Sequence, residues 1–498
     1  MIDPPRLRRS DIAILAAAWL AVSLPALLIS HSPVGEEAAI AQSVRNLKNG
    51  EAAGELALSW LLKAVATIAP VGAEAETLRG LALVVGLVTV VLTGQLAARW
   101  FGRRTGILTG LGTVTSAGLS SAVWQSGTAI WIAAATVTTV WLFSAIDWPD
   151  PAAASEASPR EESRAKSTRV AYFVIWLAVA TILIGAGNLF AIAGVSLLVF
   201  LVRQRRTLAV EMLRSPAWLV AAALLVCAAS LRQLPGWPDV ARSDSLTTLV
   251  STWLAGFASG SARLDWVSEF GQAAMPWGLL APYGLWRMRH EAIARRESRE
   301  RLLFCISLTA PLFGLLLFPM RNDLILAASI FWSIPTAVAL NQAWLVATST
   351  DQKPLRQAMV PAGRIGFSAA ALMCVLSSLV SEWSRPELKD EAFLAQVAAM
   401  REDGESLQVD LASNDRARVL LRLDEVVQNS KKSESDSDSQ GDSLRVLVIS
   451  SPERMEGSTD RHSYRKILQS RHRGGQKNCL TLYELAPSRL AAEPRLVH

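Results

Sequence analysis

The chain has 498 residues, of which 51% are hydrophobic and 18% charged, with 17 tryptophans and a formal net charge of +6. A mean hydropathy of +0.29 and a charged fraction below the soluble norm of roughly a quarter exclude an ordinary soluble domain and point to a polytopic membrane protein. The excess cations fall in short segments between apolar runs, which reads as membrane topology and not as a nucleic-acid footprint.

A helix needs about 20 predominantly apolar residues to cross a bilayer. Such runs occur at 11–30, 78–98, 105–123, 127–146, 170–186, 188–202, 216–232, 274–288, 302–319, 323–346 and 365–382. The predicted fold class is therefore an all-α polytopic membrane protein with about eleven transmembrane helices over residues 1–382, followed by a small α/β domain. The first run has basic residues before it and lacks a small-residue cleavage site, so it reads as a retained span.

Arg and Lys set the orientation. With the N-terminus inside, the inner segments hold Arg6, Arg8, Arg9, Arg99, Arg103 and Arg104, the basic part of the linker 147–169, and the run "RMRHEAIARRESRER". The outer segments hold far fewer cations, so the N-terminus is predicted to be cytoplasmic and the C-terminal domain extracytoplasmic. The expected location is the cytoplasmic (inner) membrane.

Outer loops are expected at 31–77 and 233–273, and a Pro- and Ala-rich cytoplasmic linker at 147–169, including "DWPDPAAASEASPREESRAKS". Residues 383–498 form the outer domain. There "LQVDL", "RVLLRL", "LRVLVIS" and "CLTLYEL" read as strands and 386–402 as a helix. The stretch 429–443, "NSKKSESDSDSQGDS", is too polar to pack and reads as a disordered loop. The four cysteines, Cys227, Cys305, Cys374 and Cys479, have no metal-ligand spacing and read as small hydrophobes.

The first outer loop, "HSPVGEEAAIAQSVRNLKNGE", carries the clearest candidate chemistry. Ile40, Val44 and Leu47 make an apolar stripe at helical spacing, with Gly50 as a stop. Glu36 and Glu37 stand in its first turn. Acids there complement the helix dipole by about 0.3–1 kcal/mol, which is a sufficient structural reason for them. The functional reading is a general base at the membrane surface, taking a proton from an acceptor hydroxyl while a lipid-linked donor lies in the bilayer. P-loop, HExxH and CxxC signatures are lacking, and no apolar run holds a central acid–base relay of the kind an ion-coupled transporter uses.

The order "GEEAAIAQSVRNLKNGE", "ALSWLLKAVATIAPVGAEAETLRGLALVVGLVTVVL", "LAARWFGRRTGILTGLGTVTSAG", "AAMPWGLLAPYGLW" and "FPMRNDLILAASIFWSIPTAVAL" resembles the GT-C glycosyltransferases of the protein O-mannosyltransferase and aminoarabinose transferase type. The resemblance implies transfer of a sugar from a polyprenyl phosphate to an extracytoplasmic acceptor, a protein, lipid or glycan. It implies Glu36 as base, with Glu37 supporting the acceptor or a divalent metal for which the sequence shows no ligand set. Arg79 matches the arginine that opens the second span, and Arg321 the basic turn that would meet the donor phosphate, since a guanidinium offers a rigid fork of donors. Arg263 would help shape the sugar pocket. Gln125 stands where the family has a second acid, and no acid occurs from Thr105 to Ile146. Beside the enzyme stand two other readings: a non-catalytic relative that binds a lipid-linked substrate or partner, and a transporter or flippase. The partners expected are the polyprenyl-phosphate sugar, membrane lipid and an acceptor, with no nucleic acid.

Overall fold

The computed structural model describes residues 6–28, 74–125, 128–147, 159–184, 206–231, 260–295, 298–317 and 323–349, the strand residues 406–410, 446–450, 464–469 and 481–485, and isolated residues between them. The chain divides into two compact units. One comprises Met1–Ile29, Ser43–Ala69 and Glu76–Ser378, and the other Ser30–Gln42, Pro70–Ala75 and Leu379–His498.

The first unit is helical. In chain order it has α1 (Arg9–Leu28), α2 (Glu74–Phe101), α3 (Arg103–Val114), α4 (Ala117–Gln125), α5 (Thr128–Asp147), α6 (Pro159–Ile184), α7 (Arg206–Leu213) and α8 (Ala217–Leu231). Then come α9 (Gly260–Ala274), a 3-10 turn at Trp277–Leu280, α10 (Ala281–Arg295), α11 (Ser298–Leu317) and α12 (Asp323–Ser349). Among the described residues, α2, α5, α6 and α12 are long and apolar enough to cross a membrane. The pair α7 and α8, bent by 54°, makes a fifth if counted as one span. The most apolar stretch of α12 is 83% buried, against 33% for α6, so α12 runs through the bundle while α6 shows much of its surface to the surroundings.

Small residues let the helices approach, as packing in an apolar solvent requires. α2 and α3 form a hairpin across Gly102, whose φ of 91° lies in the left-handed region that glycine tolerates. A methyl group on Gly106 of α3 would collide with Ala98 and come within 2.6 Å of the Gly94 carbonyl oxygen. The two helix backbones therefore touch where Gly94 and Ala98 face Gly106. On α1, the buried Trp19 lies against Gly86 and donates its indole N–H to the Leu83 carbonyl at 2.9 Å. Many hydroxyls inside the apolar helices satisfy themselves locally, although Ser23 and Thr109 do not. Thr136, Thr138 and Thr139 each donate to the carbonyl four residues back at 2.7 Å. Thr139 also accepts the Trp176 indole N–H at 3.0 Å, tying α5 to α6.

Four sequence expectations change. The run 105–123 is not one helix; it stops at Thr115–Ser116, where the side chains turn back on the preceding carbonyls. The linker 147–169 is helical from Pro159, because Ser-Pro followed by Glu161 and Glu162 is a helix start. The outer loop 233–273 contains α9, whose Trp266, Phe270 and Ala274 recur every fourth residue and are buried. Trp266 and Phe270 are thus core residues. The run 274–288 opens with a cis Met275–Pro276 bond and the 3-10 turn before α10 begins. Of the helix expected after Glu37, Ile40, Ala41 and Val44 are described, and all three are helical and buried.

In the second unit four strands, β1 (Ser406–Asp410), β2 (Val446–Ser450), β3 (Tyr464–Gln469) and β4 (Thr481–Leu485), form one sheet in the order β1-β2-β4-β3. β1 and β2 are parallel and the other pairs antiparallel. A parallel pair needs a crossover connection, and Val419, between β1 and β2, is helical and fully buried. That corrects "RVLLRL" as a strand at this residue. Ile449 and Leu482 pair across β2 and β4 and are both buried.

Candidate functional site

Three of the six predicted site residues, Glu36, Glu37 and Arg321, lie outside the described residues. The other three fall on helices of the first unit. Arg79 is five residues into α2 and 3% exposed. Gln125 is the last residue of α4. Arg263 lies near the start of α9 and is half-buried. The helices α4 and α9 pack on each other.

What holds α4 and α9 together is a polar junction that the sequence reading did not single out. The break between α3 and α4 meets the turn between α9 and α10. The Ala117 N–H, the first of α4, donates to the Met275 carbonyl at 3.1 Å. The Trp277 indole donates to Thr115 Oγ1 at 2.7 Å. A third segment closes the junction from α12. There Thr336 donates to the Trp277 carbonyl at 3.0 Å, and Thr113 donates to Ser333 Oγ at 3.0 Å. Gly118 abuts Ala273, with the Ala273 carbonyl oxygen 3.0 Å from the position a Cβ would take.

Broken backbone among apolar helices is tolerated where protein groups satisfy it, and here the Met275 carbonyl and the Thr115, Ser116 and Thr336 hydroxyls do so. A small pocket remains between Gly112, Ser116, Ala274, Ser329 and Ser333. The signal in the sequence is the density of Gly, Ser and Thr in "TGILTGLGTVTSAGLSS", which hydropathy alone reads as part of a span.

An aromatic cluster fixes α9 on its other side. Trp266 stacks on Phe270 with centroids 5.3 Å apart and 6° between planes, and Phe270 meets Trp332 of α12 edge-on at 4.8 Å. Trp266 also lies against Gly314 of α11, and the Trp332 indole donates to the Ser307 carbonyl at 2.8 Å. Arg263 is therefore carried by a helix held on two sides, one turn before Trp266. Among the described residues no group of three or more His, Cys, Asp or Glu side chains is gathered so as to hold a metal ion.

No protein-family profile matches the chain, and no curated protein sequence matches it. Solved structures do. The crystal structure of ArnT from Cupriavidus metallidurans bound to undecaprenyl phosphate is similar with a TM-score of 0.67 at 14% identity, over 97% of this chain and 98% of that one. The apo form of the same protein gives a TM-score of 0.63. The oligosaccharyltransferase of Archaeoglobus fulgidus is similar in its apo form with a TM-score of 0.57 at 12% identity, over 90% of this chain and 70% of that one. Its complex with Zn and sulfate gives 0.53 at 11% identity, over 83% and 61%. At such identities the shared property is the fold, and it is the GT-C membrane fold the sequence order led us to expect.

Proposed function

We propose that this chain is an integral-membrane glycosyltransferase that moves a sugar from a polyprenyl-phosphate carrier to an extracytoplasmic acceptor. The observation that carries the reading is a likeness over 97% of the chain to a protein solved with undecaprenyl phosphate bound. On this reading the protein sits in the cytoplasmic membrane with its N-terminus inside, about eleven spans, and the C-terminal α/β domain of residues 383–498 outside.

The chemistry assigned to the residues is a direct displacement. Glu36 takes the proton of the acceptor hydroxyl. The oxygen attacks the anomeric carbon as the bond from that carbon to the phosphate oxygen breaks, which inverts the configuration. The polyprenyl phosphate leaves with the bonding electrons, and Arg79 and Arg321 meet its charge with guanidinium donors. Glu37 orients the acceptor, while Arg263 and Gln125 contact the sugar. A divalent metal remains compatible with this reaction class, and the Archaeoglobus enzyme was solved with Zn. The described residues contribute no ligand group for one.

A second reading has its own observation. Because no acid occurs from Thr105 to Ile146, a relative that binds the lipid-linked sugar without transferring it is the alternative. Purified protein with radiolabelled polyprenyl-phosphate sugars and cell-envelope acceptors separates the two. Wild-type turnover lost in Glu36→Gln supports the base; turnover surviving both Glu36→Gln and Glu37→Gln removes it. Donor binding without turnover by the wild type favours the second reading.

A further inference from the structure

Five helix ends of the first unit gather at one place, and they are crowded with arginine. Arg103, at the start of α3, holds Asp11 of α1 through two bonds of 2.7 Å. Asp11 is 1% exposed and also accepts the Arg8 backbone N–H at 2.8 Å. Arg99, in the last turn of α2, lies over the Trp141 ring of α5 at 5.6 Å and donates to Ser144 Oγ at 2.9 Å. Arg104 lies over the Trp344 ring near the end of α12 at 5.5 Å. Arg6, Arg8 and Arg9 precede or open α1 and are exposed. Among the described side chains at these ends Asp11 is the acid, and Arg103 already neutralises it.

The tryptophans give the depth. Trp141 and Trp344, both half-buried, stand at this same end, on α5 and α12, and indoles concentrate where a bilayer meets water. The arginines therefore lie at headgroup level. Below Arg9, α1 shows an exposed stripe of Ala13, Ile14, Ala17, Leu20 and Leu24, at the spacing of one helix face. Ile14 is 52% exposed and Leu24 43%. A cation at headgroup level above an apolar stripe matches a ligand with an anionic head and a hydrocarbon chain. A guanidinium resting on an indole keeps N–H donors for a phosphate, which it binds as a fork.

We propose that this end of the bundle, with Arg9 and Arg104 as its headgroup contacts, is a docking site for an anionic phospholipid. The site does not depend on the transfer reaction. Each arginine near an anionic lipid surface is worth about 1 kcal/mol, or roughly fivefold in affinity, so losing both costs about 25-fold.

The full-length protein is exchanged into mixed micelles, and bound lipids are counted by native mass spectrometry with phosphatidylglycerol and phosphatidylcholine in competition. Wild type is expected to retain phosphatidylglycerol selectively, and Arg9→Gln/Arg104→Gln to lose that selectivity by about 25-fold. A control that removes two exposed arginines of the same membrane face, Arg164→Gln/Arg214→Gln, is expected to lose clearly less of it. Equal loss in the control, or none in the test variant, overturns the site. Should the test variant melt early in phosphatidylcholine, Arg9→Lys/Arg104→Lys keeps the charge and is expected to keep most of the selectivity; a complete loss there overturns it as well. Soluble glycerol phosphate is expected not to displace the lipid. Displacement at matched concentration would mean a free-phosphate site and refute the lipid.

Discussion

Replacing Gly106, Gly110 and Gly112 by alanine, one at a time, separates helix propensity from helix contact within α3. Alanine is better than glycine inside a helix by about 1 kcal/mol, so the sign of each result depends on what the new methyl group meets. At Gly106 it would stand 2.6 Å from the Gly94 carbonyl oxygen and 2.9 Å from Ala98 Cα. Backbone atoms do not rotate away, so α2 and α3 must part. Overpacking costs about 1–3 kcal/mol, and the upper end less the propensity gain leaves a net loss of about 2 kcal/mol. At Gly110 the methyl would meet the two δ-carbons of Leu15 at 2.6 Å. The far end of a leucine can swing, and a change within about 1 kcal/mol of zero follows. At Gly112 the nearest atom is Trp277 Cδ1 at 3.9 Å, an ordinary contact, and a gain of about 0.5–1 kcal/mol is expected. Thermal unfolding in one detergent, followed by tryptophan fluorescence, reads the order. Gly106→Ala should melt a few degrees low and Gly112→Ala slightly high. If Gly106→Ala is as stable as wild type, or Gly112→Ala is the most damaging of the three, the close helix contact is wrong.

Asp11→Ala should destabilise by about 3 kcal/mol, the lower end for breaking a buried pair, because Arg103 is 26% exposed and still reaches water. A double-mutant cycle with Arg103→Ala should show a coupling above about 1 kcal/mol, and additivity would remove the pair from the stability account. Thr115→Val leaves the Trp277 indole without its acceptor and should cost about 1–3 kcal/mol, more than Trp277→Phe would through its hydrogen bond alone at about 1 kcal/mol; the reverse order would place the junction's worth in packing. Lys166 and Glu211 make an exposed ion pair at 2.6 Å between α6 and α7, so Lys166→Ala should change the midpoint by less than about 1 kcal/mol equivalent, and the small effect should vanish in high salt.

Much of the helical unit was readable because hydropathy alone marks a long apolar helix. α1, α2, α5 and α12 fall close to the runs 11–30, 78–98, 127–146 and 323–346. Strands β1, β2 and β4 announce themselves by β-branched and leucine-rich runs. β3, "YRKILQ", does not, since it is half polar. α9 escaped because only every fourth residue is apolar on its buried side, and the surrounding polar residues read as loop. The junction escaped for the opposite reason: threonine and serine inside an apolar helix look like tolerated passengers until their partners, 59 to 220 residues away, are known. Of the residues in the catalytic proposal, Glu36, Glu37 and Arg321 lie outside the described residues, while Arg79 proved buried, which no local pattern foretold.

The junction also orders the assembly of the chain. Its bonds join Thr115 to Trp277, Trp277 to Thr336, and Thr113 to Ser333. A ribosome delivers α3 and α4 before the turn at Met275–Trp277 and before α12, so the junction at Thr115–Ser116 stays incomplete until both have been made. Contacts this distant in sequence form late. α12 thus closes the junction last: until it enters, the break is held by the Thr115–Trp277 and Ala117–Met275 bonds, and the clamps from Ser333 and Thr336 are missing. Truncations that stop before residue 323 should yield a protein that inserts but stays open to proteolysis at the α3–α4 break.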